Sequence, residues 1–190
     1  MKIAYIHGYM SGPQAVKKTV LENWLKKNEP SIAFDAPQYP DLPGEGIAFL
    51  DNWAREQDPK ATMLVGSSMG GLMSTVLQCR FGFRIALLNP CIHPQEYFDS
   101  LNEVQVNPLT GETFTIKPET RRILEALDEE AKGYDPSRTR VYLQSGDEVL
   151  DYRKSLEFYK ASHPVVTEGG CHRFENFEGI IPDILAFFRA

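Results

Sequence analysis

The chain has 190 residues, 42% hydrophobic and 24% charged, with a net charge of −6. That length suits a single domain with a substantial core. The acidic balance, relieved only by basic pairs such as Lys17-Lys18, Lys26-Lys27 and Arg121-Arg122, excludes nucleic acid as a partner. No apolar run approaches the roughly 18 residues of a membrane span, and the apolar stretch at the start is too short for a signal-peptide core, so no membrane insertion is expected.

In chain order, Lys2–Ile6 (KIAYI) reads as a buried strand broken at Gly8 and Gly12-Pro13. Ala15, Val16, Val20, Leu21, Trp24 and Leu25 then fall on one helical face. Residues 31–36 (SIAFDA) are a second strand, closed by Pro37, Pro40 and Pro43, and Gly46–Arg55 is helical. Residues 62–66 (TMLVG) form a third strand. Met69, Leu72, Met73, Val76 and Leu77 follow at i, i+3, i+4, i+7 and i+8, so a helix opens directly after Ser68. Arg84–Leu88 and Arg140–Gln144 are the fourth and fifth strands, a helix follows near Tyr152–Lys160, and 165–168 (VVTE) is the sixth strand. The last apolar face runs through Phe177, Ile181, Ile184, Leu185 and Phe188, with Pro182 either beginning that helix or kinking it. Alternation of this kind argues for one α/β domain, residues 1–190, with a parallel sheet covered on both faces. Ligands of such sheets sit at the carboxyl ends of the strands.

About 50 residues, Cys91 to Thr139, separate the fourth strand from the fifth, more than one crossover helix needs. Two readings compete: a decorated crossover, or a small helical cap over the site, 91–139, whose Tyr97, Phe98, Leu101, Leu109, Phe114 and Ile116 form an apolar acyl pocket. Cys79, Cys91 and Cys171 are odd in number and lack CxxC spacing, which fits reduced thiols in a cytoplasm. His7, His93, His163 and His172 show no HxxxH or HxH pairing, so no metal site is expected.

Chemistry concentrates at VGSSMGGLM, residues 65–73. GxSxG alone arises by chance in roughly 6% of chains this size, from ordinary glycine and serine usage. Here it follows a buried strand and opens a helix, the context in which a nucleophilic serine sits on a sharp turn. Gly66 and Gly70 frame Ser68, where the turn leaves no room for side chains; Ser67 lacks that frame. Serine needs a base held by a third group, and such folds order the three as Ser, Asp or Glu, His. Asp147 follows the fifth strand and Gly146; His172 follows the sixth strand and Gly169-Gly170. Asp147 is favoured over Glu148 and Asp151 because it follows the strand and Gly146 directly, and Asp151 reads better as the cap of the next helix. The opening HGYMSGP supplies the remaining part. Its backbone, through the Tyr9 N–H, joins the Met69 N–H as a pair of donors for a substrate oxyanion. His7 reads as an orienting residue of this loop rather than a rival base, and Ser11 either lines the site or only forms the turn.

With HGYMSGPQA, GSSMGG, NPLTGETF, GDEVLDYR and GGCHRF in place, the chain resembles the α/β-hydrolases, and most closely the small bacterial esterases of the YqiA/YcfP type. The resemblance implies a reduced α/β-hydrolase of six parallel strands in the order 2-1-3-4-5-6. It also implies a Ser-Asp-His triad carried by Ser68, Asp147 and His172, no cofactor, and a small-molecule ester as substrate. The expected reaction is hydrolysis of carboxylic esters, thioesters included, with short to medium acyl chains. Two rivals remain at this level: a binding protein that keeps the fold without the chemistry, and an acyltransferase or perhydrolase using the same triad.

Overall fold

The computed structural model describes residues 1–12 and 14–190. Six strands build the sheet: β1 (Lys2–Ile6), β2 (Ala33–Asp35), β3 (Thr62–Ser67), β4 (Arg84–Leu88), β7 (Thr139–Gln144) and β8 (Val165–Thr167). All five neighbouring pairs are parallel, in the order β2-β1-β3-β4-β7-β8. Counted within the sheet alone, that order is 2-1-3-4-5-6. The labels jump because two further strands, which the sequence reading missed, fall between β4 and β7.

Alternation along the strands divides the core in two. Ala4 and Ile6 of β1, Leu64 of β3, Ile85 and Leu87 of β4 and Val141 and Leu143 of β7 share one face. Helices α2 (Pro43–Arg55), α3 (Met69–Phe81) and α5 (Pro118–Ala131) pack there through Ile47, Leu50, Leu72, Val76, Leu124 and Leu127. Ile3, Tyr5, Met63, Val65, Ala86, Leu88 and Tyr142 face the other way, onto α1 (Val16–Asn28) and α7 (Phe177–Arg189). A strand pinned by burial on both faces cannot slip register without turning half its apolar side chains the wrong way. Pro182 lies inside α7 rather than at its start; it lacks the N–H that would have reached the carbonyl of Glu178.

Helix α3 is buried throughout residues 69–78, so its polar side chains must find partners within the protein. Ser74 Oγ donates to the Gly70 carbonyl at 2.7 Å and Thr75 Oγ1 to that of Gly71 at 2.9 Å, and Gln78 Nε2 reaches Thr139 Oγ1 at 2.8 Å. At its outer end Arg80 forks onto Glu130 of α5 at 2.7 and 2.6 Å and also meets Asp51 of α2, tying the three helices together.

The insertion refines the expectation of a helical cap. It holds a short helix, α4 (Pro94–Phe98), an antiparallel ribbon of β5 (Val104–Val106) and β6 (Thr113–Thr115), and α5. Helix α5 packs on α2 and α3, the place of an ordinary crossover helix, so α4 and the ribbon are what is added. Helix α6 (Tyr152–Phe158) follows β7 and is capped by Asp151, whose carboxylate accepts from the Arg153 N–H at 3.0 Å. No helix among the described residues is long and apolar enough to cross a membrane.

Candidate active site

The carboxyl ends of β1, β3, β7 and β8 converge on Ser68. Between β3 and α3 the chain turns within one residue: Ser68 has φ 54° and ψ −123°, a conformation side chains other than glycine rarely adopt. The turn is sterically closed on both sides. A Cβ on Gly66 would lie 2.5 Å from the Gly70 carbonyl oxygen and 2.9 Å from the Cα of Gly71. On Gly70 a Cβ would run into the carbonyl oxygens of Ile6, the last residue of β1, and of His7 directly after it, backbone atoms that cannot move aside. Gly70→Ala is therefore expected to destabilise the fold by roughly 3 kcal/mol, as overpacking against backbone does. It would be read as a lower urea midpoint with an unchanged slope; an unchanged midpoint would mean that β1 and α3 are not held this closely.

Ser68 Oγ lies 3.0 Å from His172 Nε2, and His172 Nδ1 lies 2.8 and 3.0 Å from the two carboxylate oxygens of Asp147. An ionised carboxylate only accepts, so Nδ1 carries the ring proton and Nε2 is left to accept the serine hydroxyl. The Asp147 side chain is 2% exposed and that of His172 19%. Asp147 Oδ1 also accepts from the N–H groups of Val149 and Leu150 at 2.9 and 2.8 Å, which fixes the carboxylate from behind. Glu148, the neighbouring acid, instead accepts the His172 backbone N–H at 2.9 Å.

Beside the serine runs the loop that leaves β1. A Cβ on Gly8 would touch Ser68 Cβ at 3.2 Å, so the backbone leading into Tyr9 borders the hydroxyl directly. Met69 opens α3, where its N–H has no carbonyl one turn earlier to bond. The His7 ring is engaged with other partners. It is buried, its Nδ1–H donates to the Gly8 carbonyl at 2.9 Å, and its ring stacks on Tyr39 with centroids 4.1 Å apart. Burial holds its pKa below the usual range despite the Gly8 bond and the charge of Asp41, so the ring stays neutral.

Several residues that shape the site escaped the sequence reading. Asp41 accepts the Met10 N–H at 2.8 Å and a 2.5 Å bond from Asn107 Nδ2, which also reaches the Ser11 carbonyl at 3.3 Å. The ribbon is thereby stapled to the loop after β1. Phe98 and Phe114 pack against the Tyr9 ring at 4.8 and 6.0 Å. The sequence reading expects these aromatic side chains to line an acyl pocket; they buttress the loop instead, and among the described residues of the insertion only Leu109 lines the cavity at Ser68. Gln144 is the third omission. Its Oε1 accepts from the N–H groups of Cys171 and Glu175 at 3.1 and 2.9 Å, and its Nε2 donates to the Glu175 carbonyl at 2.8 Å, clamping both sides of His172. Gln144→Leu is expected to lower kcat about 100-fold with little change in KM, because a small displacement of the imidazole is enough to lose the geometry; an equal loss through KM would contradict a positioning role.

A cavity of about 530 Å³ opens at this point, lined by Gly8, Tyr9, Ser68, His172 and also by Ser11, which thus borders the site as well as the turn. The profile of the family described as "Uncharacterised protein family (UPF0227)" matches residues 2–189. Among solved structures the chain is similar to Est1E from Butyrivibrio proteoclasticus with ferulic acid bound, at 14% identity and a TM-score of 0.71, covering 100% of this chain and 90% of that one. It is also similar to the mouse alpha/beta hydrolase domain-containing protein 10 (16% identity, TM-score 0.69, 97% and 89% covered). The esterase domain of a Rhodothermus marinus protein is a third such neighbour (15% identity, TM-score 0.67, 97% and 84% covered). At these identities the likeness is one of fold, and the fold is that of the α/β-hydrolases.

Proposed function

Because the chain belongs to the UPF0227 family and folds as an α/β-hydrolase, we propose that it is a serine esterase acting on carboxylic esters, thioesters included, with short to medium acyl chains. The observation that carries this reading is the continuous hydrogen-bonded line from Asp147 through His172 to Ser68 at the mouth of a cavity. Cavities of this size take small organic molecules, which fits an acyl chain of limited length.

In the proposed cycle, Ser68 Oγ attacks the ester carbonyl carbon as His172 Nε2 takes the hydroxyl proton. The tetrahedral oxyanion is held by the N–H groups of Tyr9 and Met69. When the carbon–oxygen bond to the alcohol breaks, His172 returns its proton to the departing oxygen. Water then adds to the acyl-serine with His172 again as base, and collapse releases the carboxylic acid and restores the Ser68 hydroxyl. Asp147 remains a carboxylate throughout, stabilising the imidazolium and fixing its tautomer.

Release of 4-nitrophenol from a series of 4-nitrophenyl esters, acetate to decanoate, tests the reading. Saturable turnover that peaks at short to medium chains and fails in Ser68→Ala is expected. Absence of turnover across the series would remove the esterase assignment, and 4-nitrophenol release that depends on an added alcohol or peroxide acceptor, with the acyl group recovered as the new ester or peracid, would replace it by acyl transfer.

A further inference from the structure

The lining of the cavity carries two cations and no acidic residue among the described residues: Lys17 from the first turn of α1, and Arg173 directly after His172. Lys17 Nζ donates to the backbone carbonyl of Arg173 at 3.0 Å, so the two positions are held together across the mouth of the site. Neither ammonium nor guanidinium has a carboxylate within ion-pair distance among the described residues. In this chain of net charge −6, Lys18, Lys26, Arg80 and Arg140 have acidic partners, whereas Lys27, Lys60 and Arg122, like Lys17 and Arg173, have none within ion-pair distance among the described residues. Two cations without a carboxylate in ion-pair contact thus border Ser68, while the nearby carboxylates of Asp147 and Glu148 are engaged by His172 and by backbone N–H groups, which leaves the ammonium and guanidinium free to attract an anion.

We propose that Lys17 and Arg173 are specificity-determining residues that select esters bearing an anionic carboxylate. The proposal rests on the esterase reading of the same site. The planar guanidinium offers paired donors to a carboxylate and the ammonium a point charge, so together they can hold one carboxylate while the ester group lies over Ser68. Leu109, 57% exposed, and Val16, 78% exposed, border the same cavity and offer apolar contact to the carbon chain between the two ends. Lys17 is half-buried, and desolvation with the nearby Arg173 charge lowers its pKa to about 8, against the opposing influence of Cys171 and Asp147. A cation held in that state regains stability when an anion docks beside it. The sign of the resulting pH dependence is fixed: Lys17 is charged below about pH 8 and loses its proton above it, so its share of the selectivity is present at neutral pH and fades as pH rises.

The test compares three esters of similar size by chromatography of the product acids: ethyl pentanoate, which is neutral; monoethyl glutarate, anionic on the acyl side; and butyryl glycolate, anionic on the alcohol side. At least one anionic ester should exceed the neutral one about tenfold in kcat/KM, mainly through KM, as expected for charge-assisted hydrogen bonds at a partly solvated site; which of the two does so identifies the end of the substrate that the cations hold. Lys17→Met and Arg173→Gln should each cut that ratio roughly threefold or more, and Arg173→Glu should bring it below one. Lys17→Met should also abolish the decline of the ratio above about pH 8. Equal kcat/KM for all three esters, or a preference that survives both substitutions, would overturn the proposal. Calorimetric titration of Ser68→Ala with monoethyl and diethyl glutarate, and with butyryl glycolate and its ethyl ester, decides it without turnover. Tighter binding of the monoanion, or of butyryl glycolate over its ethyl ester, lost in Arg173→Gln, supports the cationic mouth even where no ester is hydrolysed, and equal binding within both pairs sinks it.

Discussion

Ser68→Ala and His172→Ala should each lower turnover by about 10⁶, and the double variant should be little worse than either alone. The reason lies in the geometry. The hydroxyl is nucleophilic only while Nε2, 3.0 Å away, can accept its proton, so removing either partner disables the same step. What survives is the contribution of the backbone donors and of binding. A companion variant separates chemistry from folding. Ser68 sits at φ 54°, where glycine is unstrained, so Ser68→Gly should be more stable than Ser68→Ala by about 1 kcal/mol while being equally inactive. Chemical denaturation and turnover measured on the native protein, Ser68→Ala and Ser68→Gly would check both halves. Strictly additive losses in the double variant would mean that Ser68 and His172 do not act as a unit.

Asp147→Asn should lower kcat about 10⁴-fold and leave KM nearly unchanged. The carboxylate has three backbone and ring donors aimed at it: Val149 and Leu150 N–H and His172 Nδ1. An amide can keep its oxygen toward the two backbone N–H groups, but it then turns an NH₂ toward the ring. The imidazole answers by moving its proton to Nε2, which faces Ser68 and can no longer accept from it. The fold is retained because the backbone donors stay satisfied, whereas Asp147→Ala would leave them unpaired in a position only 2% exposed. Steady-state kinetics on the Asn variant, with its denaturation midpoint as control, decides between this tautomer effect and simple loss of structure.

How much of this was legible in the sequence follows from which contacts are local. The serine turn was, because a one-residue reversal between a buried strand and a buried helix demands glycine at 66 and 70, and both lie within the motif itself. Asp147 and His172 were legible because each follows directly on a strand, and a parallel sheet brings such ends together whatever lies between. Asp41, Asn107 and Gln144 were not. Each acts on a partner far along the chain, Asn107 on Asp41 across 66 residues and Gln144 on Glu175 across 31, and a lone buried polar residue carries no periodic signal. The ribbon did leave a trace. Val104 and Val106 alternate before NPLTGE, and Phe114 follows it, a short hairpin pattern around turn-forming residues. Its three-residue strands were overshadowed by the apolar residues nearby, which drew the reading toward an acyl pocket. Of those side chains Phe98 and Phe114 are spent on supporting Tyr9, and Leu109 borders the cavity together with Val16 and Lys17 of α1 and with His172 and Arg173.

The central claim is that Ser68 is a nucleophile activated by His172. Intact-mass analysis after treatment with a small fluorophosphonate tests it most directly, since the reagent modifies a serine only where a base removes its proton. A single adduct on the native protein, mapping to Ser68, absent from Ser68→Ala and formed far more slowly in His172→Ala, is the predicted result. No adduct on the folded native chain, or one that persists in Ser68→Ala, would contradict it.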